Sequence, residues 1–190
     1  DGLAALDSSL RLDELTAGPR PDPAAYQRHV RGDGGLSVTV NDFFSFTVTE
    51  NGKPLYRHTA APAGNRIYSV SIVPGKGIVV GASFAMYLID ARTGAELRRF
   101  HGDNGLTTAV APSPDGRHFV TGSSDQIVRV WSPDQSEPLL SVFGVNREWI
   151  AWTPRGYYAC SPHGERLIGW QLNNGIDRAP TVHPAVRFRA

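Results

Sequence analysis

Residues 107–132 read TTAVAPSPDGRHFVTGSSDQIVRVWS, short apolar runs cut by Ser113-Pro114-Asp115-Gly116 and by Gly122–Gln126. Turn residues at this density between apolar runs predict short strands joined by tight connections. Outward from this stretch, Pro114 has counterparts 40 residues away on both sides, Pro74 and Pro154. They sit in VSIVPGKG, VAPSPDG and IAWTPRG, and the three prolines mark equivalent turns. At the same step Val70, Val110 and Ile150 align, as do Val80, Val120 and Cys160. Such columns predict inward-facing positions of matched strands, with Cys160 standing where a core valine stands elsewhere.

A second register extends the repeat. Leu55, Leu97 and Leu139 are spaced by 42, and so are Gly52, Gly94 and Ser136. GLSVTVNDFFSFTVTENG from Gly35 slides over GIVVGASFAMYLIDARTG from Gly77 without a gap. Four units result, at about 26–66, 67–106, 107–147 and 148–185, with an arm at 1–25 and a tail at 186–190. Each unit has three or four short apolar runs, which predicts four strands per unit and an all-β chain. After Gly175, IDRAPTVHP offers no apolar run for a last strand. In the arm, DSSLRLDELTAG suits one short helix from near Asp7 to Gly18, and GPRPDP reads as a linker.

Composition narrows the function classes. The 190 residues are 41% hydrophobic and 19% charged, with 19 Lys+Arg against 18 Asp+Glu. This is the composition of a globular protein, and the scattered charge carries no footprint for nucleic acid or an anionic membrane. No run approaches the roughly 18 apolar residues of a membrane helix. The single cysteine excludes an internal disulfide framework and leaves the compartment nearly open, with the cytoplasm slightly favoured. The only methionine is Met86 and the chain begins at Asp1, which reads as a processed product or a fragment.

A period of 40–45 residues with four strands per unit is the signature of propeller blades. The third unit resembles the WD40 repeat, with SPDG as the turn after the inner strand, VTGSSD ending the second and VRVWS as the third. It departs from that family in Ser132, where the Asp of Trp-Asp is usual, and in GDNG at Gly102–Gly105, where Gly-His is usual. The fourth unit, EWIAWTPRGYYACSPHGERLIGWQLNNG, resembles the last blade of bacterial WD40 arrays that share a polypeptide with a caspase-like peptidase. The resemblance implies about four WD40-like blades. Four are few for such a ring, so a partial propeller is expected, with two apolar faces open to a second copy, another chain or the rest of a longer parent.

The resemblance also implies a buried structural network on Asp125, Thr121 and Trp131. Its usual histidine has no clear match, since Asp103 falls at that place and His101 lies two residues early. A triad of Asp125, Thr121 and His101 is disfavoured because these positions have a structural job. A Cys160–His163 nucleophile pair is weighed against the alignment of Cys160 with Val80 and Val120, which favours a core cysteine. The six histidines show no metal-ligand spacing, and no phosphate-binding glycine loop occurs. No catalytic residue, cofactor or metal is assigned. Trp131 and Trp170 align and are expected between blades, while Phe84, Tyr157 and Tyr158 are possible exposed contacts.

The resulting expectation is a non-catalytic protein–protein interaction scaffold. Its partner contacts are expected on turns and inter-blade loops: Asn41, Asp42, Asn65, Arg66, Ser83, Phe84, Asn104, Ser124, Asn146, Arg147, His163 and Glu165. The alternatives are the substrate-recruiting portion of a bacterial caspase-like peptidase and an architectural subunit of a large complex.

Overall fold

The computed structural model describes residues 9–11, 16–18, 33–61, 65–83 and 85–185. The chain is an open all-β array in which every strand pairs antiparallel with a sequence neighbour. Strands β1 (Ser9–Arg11) and β2 (Thr16–Gly18) form a hairpin with Leu10 opposite Ala17. This corrects the expected helix, which is short enough to be marginal without packing. A three-stranded sheet follows: β3 (Leu36–Asp42), β4 (Ser45–Glu50) and β5 (Lys53–Thr59). Next comes a four-stranded sheet of β6 (Ile67–Val73), β7 (Gly77–Ala82), β8 (Met86–Ile89) and β9 (Glu96–Phe100).

A six-stranded sheet is formed by β10 (Thr107–Pro112), β11 (Phe119–Ser123), β12 (Val128–Trp131), β13 (Leu140–Val145), β14 (Glu148–Trp152) and β15 (Tyr158–Cys160). A 3-10 turn at Gly164–Leu167 leads to the hairpin of β16 (Gly169–Leu172) and β17 (Thr181–Pro184). A strand therefore does form after Gly175, held by its ladder and not by an apolar run. The offset of 42 sets β3, β4 and β5 against β7, β8 and β9, so the first-strand position of the first unit falls on 25–31. That position, the linker and the tail at 186–190 lie outside the described residues.

The alternating side chains of the middle sheet build two cores. Ile78, Val80 and Ala82 of β7, with Tyr87 and Ile89 of β8, pack against Phe46 and Val48 of β4. The opposite set, Val79, Met86 and Leu88, packs with Phe100 against Val110, Phe119 and Trp131 of the third sheet. A sheet covered on both faces needs apolar residues at every position, which explains the continuous run GIVVGA. The sheets meet closely at Gly81, where an added Cβ would lie 2.7 Å from the Thr107 carbonyl oxygen. Ser69 donates to that same oxygen at 2.7 Å.

The two open faces differ in chemistry. On the outer face of the first sheet, Ser37 and Thr49 share a hydrogen bond of 2.7 Å and Asn41 donates to Thr47 at 3.0 Å. Arg57 on that face donates to Ser45 at 2.7 Å and to Asp42 at 3.0 Å. A polar outer face of this kind ends a repeat array in water. On the outer face of the third sheet, Ala111, Val120 and Val130 lie in one cross-strand row, with Val128 beside them. Val120 is 37% and Val128 45% exposed. The expectation of two apolar ends is thus corrected to one. It also separates the aligned column Val80, Val120 and Cys160: Val80 is fully buried, Val120 exposed and Cys160 half-buried.

The passage from the third unit to the fourth is a hairpin inside one sheet. Val145 pairs with Glu148, and the two turn residues Asn146 and Arg147 both have positive φ, 52° and 79°. Two consecutive left-handed residues make the turn that matches strand twist, for which Asn-Gly is the preferred sequence. Arg147 fits the second place poorly, because a Cβ in this region costs about 1 kcal/mol. Arg147→Gly is expected to raise stability by about 1 kcal/mol, read as a higher urea midpoint at unchanged slope. An unchanged or lower midpoint would show that the turn carries no such strain.

Candidate functional site

The loops at one edge of the array are held by a recurring serine clasp. The amide of Arg66 donates to Ser83 Oγ at 3.2 Å, and the amide of Ser83 returns to the Arg66 carbonyl at 2.9 Å. Leu106 and Ser124 repeat the exchange at 2.8 and 3.0 Å, and Trp149 and Ser161 repeat it at 3.0 and 3.0 Å. In these three units the clasp ties the start of one strand to the end of the next, where a backbone donor would otherwise face solvent alone. Serine suits the place because its short hydroxyl reaches a nearby main-chain amide. The third clasp carries an addition: Ser161 donates to Glu148, whose carboxylate also accepts the His163 amide at 3.2 Å. The Ser161 hydroxyl bond, with that amide, holds the Glu148 carboxyl below its ordinary value.

Between the second and third sheets the edge opens into a cleft of about 490 Å³. Ser83, His101, Asn104 and Ser124 line it, with Asp103 and Thr107 deeper and Met86 and Phe100 as an apolar floor. Three residues expected as contacts, Ser83, Asn104 and Ser124, thus converge on one opening. Arg66 joins them through its clasp to Ser83, and its guanidinium lies 5.5 Å from the Phe43 ring centre, with Phe43 65% exposed.

The remaining expected contacts are distributed otherwise. Asn41 and Asp42 lie at the β3–β4 turn, where Asp42 accepts the Phe44 amide at 2.7 Å and pairs with Arg57. The amide bond and the Ser45 hydroxyl hold the Asp42 carboxyl below its ordinary value. Asn65 is only 1% exposed and donates to the Ala61 carbonyl at 3.0 Å, so it is an internal strut of its loop and not a contact. Asn146 and Arg147 form the hairpin turn, His163 is exposed beside Glu148, and Glu165 accepts the Tyr158 hydroxyl at 3.3 Å. Phe84 lies outside the described residues. Tyr157 is exposed at 68%, whereas Tyr158 is half-buried.

Beneath the cleft the three network residues separate into two groups. Trp131 and Thr121, both fully buried, are joined by an Nε1–H bond to Oγ1 of 2.9 Å. Phe100 meets the Trp131 ring edge-on at 5.6 Å, and Phe119 stacks on it at 6.1 Å. Asp125 belongs to the second group. It accepts Arg129 Nη2 at 2.7 Å and Nη1 at 3.2 Å, while Asp103 accepts Nη1 at 3.4 Å. Asp103 also accepts the Thr107 hydroxyl at 2.6 Å and the Gly105 amide at 3.1 Å. Burial pushes the Asp125 carboxyl up, but the hydrogen bond and charge of Arg129 with the Ile127 and Asn104 amides together outweigh it and leave it below its ordinary value.

Arg129, 2% exposed, is the residue that sequence reasoning missed. Its signal lay in period-two alternation: Arg129 and Trp131 share a face of β12, so the arginine points where the tryptophan points. Trp170, aligned with Trp131, is 38% exposed and thus not a packing equivalent. Among the described residues no three His, Cys, Asp or Glu converge as a metal site, and no helix is long and apolar enough to cross a membrane.

Comparison with known proteins fits this third sheet. Residues 94–132 match the family model of the WD domain, G-beta repeat. A serine-threonine kinase receptor-associated protein of Gallus gallus is 40% identical over 98 residues, 50% of this chain and 27% of the relative. The 66 kDa stress protein of Physarum polycephalum is 31% identical over 102 residues, 52% of this chain and 16% of the relative. Protein HIR1 of Yarrowia lipolytica is 33% identical over 75 residues, covering 38% and 7%. The chain therefore spans about a quarter or less of these relatives. The crystal structure of the WD40 β-propeller domain of Doa1 overlays with a TM-score of 0.48 at 15% identity, covering 67% of this chain and 51% of that one. The seam that joins Phe100 of the second sheet to Thr121, Arg129 and Trp131 of the third lies within residues 94–132, the stretch of this chain that is similar to the WD40 repeat.

Proposed function

We propose that the chain is a non-catalytic protein-interaction scaffold whose partner surface is the clasped edge around the cleft. The observation that carries this reading is the convergence of Ser83, Asn104 and Ser124 on one opening, with Arg66 clasped to its rim. Hydroxyl and amide groups held on a rigid strand framework give directional contacts at low ordering cost. The mixture of exposed polar groups and an apolar floor is the composition of a protein interface and not of a reaction centre. Partners of this scaffold are proteins: another chain, a second copy, or the remainder of a longer parent, any of which would also cover the Val120–Val128 face. Nucleic acid is not among them, since the charge is balanced. The reading as part of a bacterial caspase-like peptidase gains no support, because the relatives named above are eukaryotic.

The test uses Arg66→Ala, Asn104→Ala and Ser124→Ala combined, compared with the unaltered chain in capture from native extract and then in direct titration of the captured proteins. Partner affinity is expected to fall at least about tenfold, the loss that a cluster of interface contacts produces. Equal affinity for every captured protein would remove the partner surface from this edge.

A further inference from the structure

The first sheet ends the array, and among the described residues it meets the rest of the molecule at one apolar seam. Its inner face carries Phe46 and Val48 opposite His58 and Tyr56, cross-strand pairs whose side chains all turn toward the second sheet. The His58 imidazole stacks on the Phe46 ring, with centroids 4.9 Å apart at 27°. Its Nε2 lies 3.1 Å from the hydroxyl of Tyr87 in β8, which makes the ring a bridge between the two sheets. Phe46 is fully buried and Tyr87 5% exposed, so the bridge stands at the centre of the seam.

A proton added to this ring finds no partner. The neutral imidazole can accept the Tyr87 O–H at Nε2, whereas an imidazolium only donates there, so the tyrosine proton loses its acceptor. Among the described residues no carboxylate pairs with His58. Glu96 of β9 is held by Arg99 at 2.7 and 2.9 Å, and Asp90 by the Arg92 and Thr93 amides. The Tyr56 hydroxyl is spent on the Asp90 carbonyl at 3.2 Å. The one cation nearby is of the wrong sign to help: the Arg99 guanidinium stands 5.8 Å from the centre of the same Tyr87 ring that the imidazole approaches at 5.9 Å. Arg57, adjacent in the chain, points to the outer face and bonds Ser45 and Asp42 there. The Phe46 face attracts a cation, but it does not replace the water that burial removes. Burial accordingly holds the His58 imidazole below its ordinary value.

We propose that His58 is an acid-sensitive latch of the end unit: a proton taken up by its ring in mildly acidic solution shifts the first sheet toward an undocked state that bares the row of Ile72, Ile78 and Ile89 on the second. The sign follows from which state holds the proton more tightly. His58 titrates lower when docked than when free, so docking weakens as pH falls through the ordinary value of 6.5, and the loss is complete below the docked value. The end unit is the part that responds, because its outer face already lies in water and a single seam holds it. The latch goes beyond the scaffold reading and its test needs no partner, so either can fail alone.

The test is hydrogen exchange of the full chain, with protection factors of β4 and β5 compared with those of β11 and β12. Between about pH 7.5 and about pH 5, protection of β4 and β5 is expected to fall at least about threefold relative to β11 and β12. His58→Gln keeps a hydrogen-bonding side chain beside the Tyr87 hydroxyl and does not titrate, and its relative protection is expected to be the same at both pH values. An equal fall in this variant would place the acid response elsewhere, and a fall shared by all three sheets would show general weakening in acid. Unchanged relative protection in the unaltered chain would mean that there is no latch, and each of these three results overturns the proposal. NMR titration of His58 in the unaltered chain decides without relying on the folding of the variant. Its midpoint is expected to lie below that of the same histidine in the urea-unfolded chain, and an equal or higher midpoint overturns the proposal as well.

Discussion

Trp131→Ala is expected to lower stability by about 3–5 kcal/mol, most of the margin of a small domain. The ring is fully buried at the seam between the second and third sheets and touches Phe100 and Phe119. Truncation opens a cavity where both neighbours lose a face. It also strips the Thr121 hydroxyl, itself fully buried, of the indole donor at 2.9 Å. Trp131→Phe separates the two effects, since it keeps an aromatic ring in the seam and removes only the N–H. Its expected cost is about 1–3 kcal/mol, the range for an orphaned buried polar group plus slight underfilling. Urea unfolding followed by far-ultraviolet circular dichroism measures both, without relying on the tryptophan signal that the variants alter. A loss below about 1 kcal/mol for the alanine variant would show that the seam is held elsewhere.

The second large effect belongs to Arg129. Arg129→Met fills the same space but leaves the side chains of Asp103 and Asp125, 7% and 15% exposed, without their cation. Removing one member of a buried ionic cluster costs about 3–5 kcal/mol because the remaining charge is uncompensated. The pH dependence gives the effect a signature. In the unaltered chain Asp125 titrates below its ordinary value of 3.8, against the upward push of burial, because the Arg129 bond and the Ile127 amide favour the charged form. A lowered native pKa contributes stability that is present above 3.8 and is lost as pH falls through the native value. Without the guanidinium, burial prevails and the carboxyl rises, so protonation then relieves the folded state. The variant is therefore expected to gain on the parent as pH drops from about 6 to 3, the two denaturation curves converging in acid. A constant gap across that range would mean that Arg129 stabilises by packing alone.

How much of this was legible beforehand depended on whether the signal was periodic. The proline turns and the offset of 42 gave the strand order because a β-hairpin writes its turn into the chain locally. The unbroken apolar run GIVVGA, read only for its register, also fits a sheet covered on both faces, and all six residues are buried. Val120 misled because repeat alignment predicts which face a residue occupies and not whether a neighbour covers that face. Asn65 reads as an exposed residue from its type, yet it is buried and its side-chain amide donates to the Ala61 carbonyl, a pairing that residue type does not announce. Arg129 was missed although alternation places it on the Trp131 face, because a lone arginine in a strand looks like surface until Asp103, 26 residues away, is known to sit beside it. Short alternating segments such as Ser9–Arg11 support either helix or hairpin, and pairing decides between them.

Because every strand pairs with its sequence neighbour, each sheet can zip from its own turns before any sheet docks on another. Among the described residues, cooperativity between sheets is then carried by two apolar seams, Phe46–Tyr87 and Phe100–Trp131, in the manner of a one-dimensional chain of coupled units. Damage in such a chain has a short correlation length. In the Trp131→Ala protein, amide hydrogens of β10–β13 should exchange with solvent through local opening while those of β4, behind the other seam, stay protected, so the lesion is felt across one seam and fades at the next.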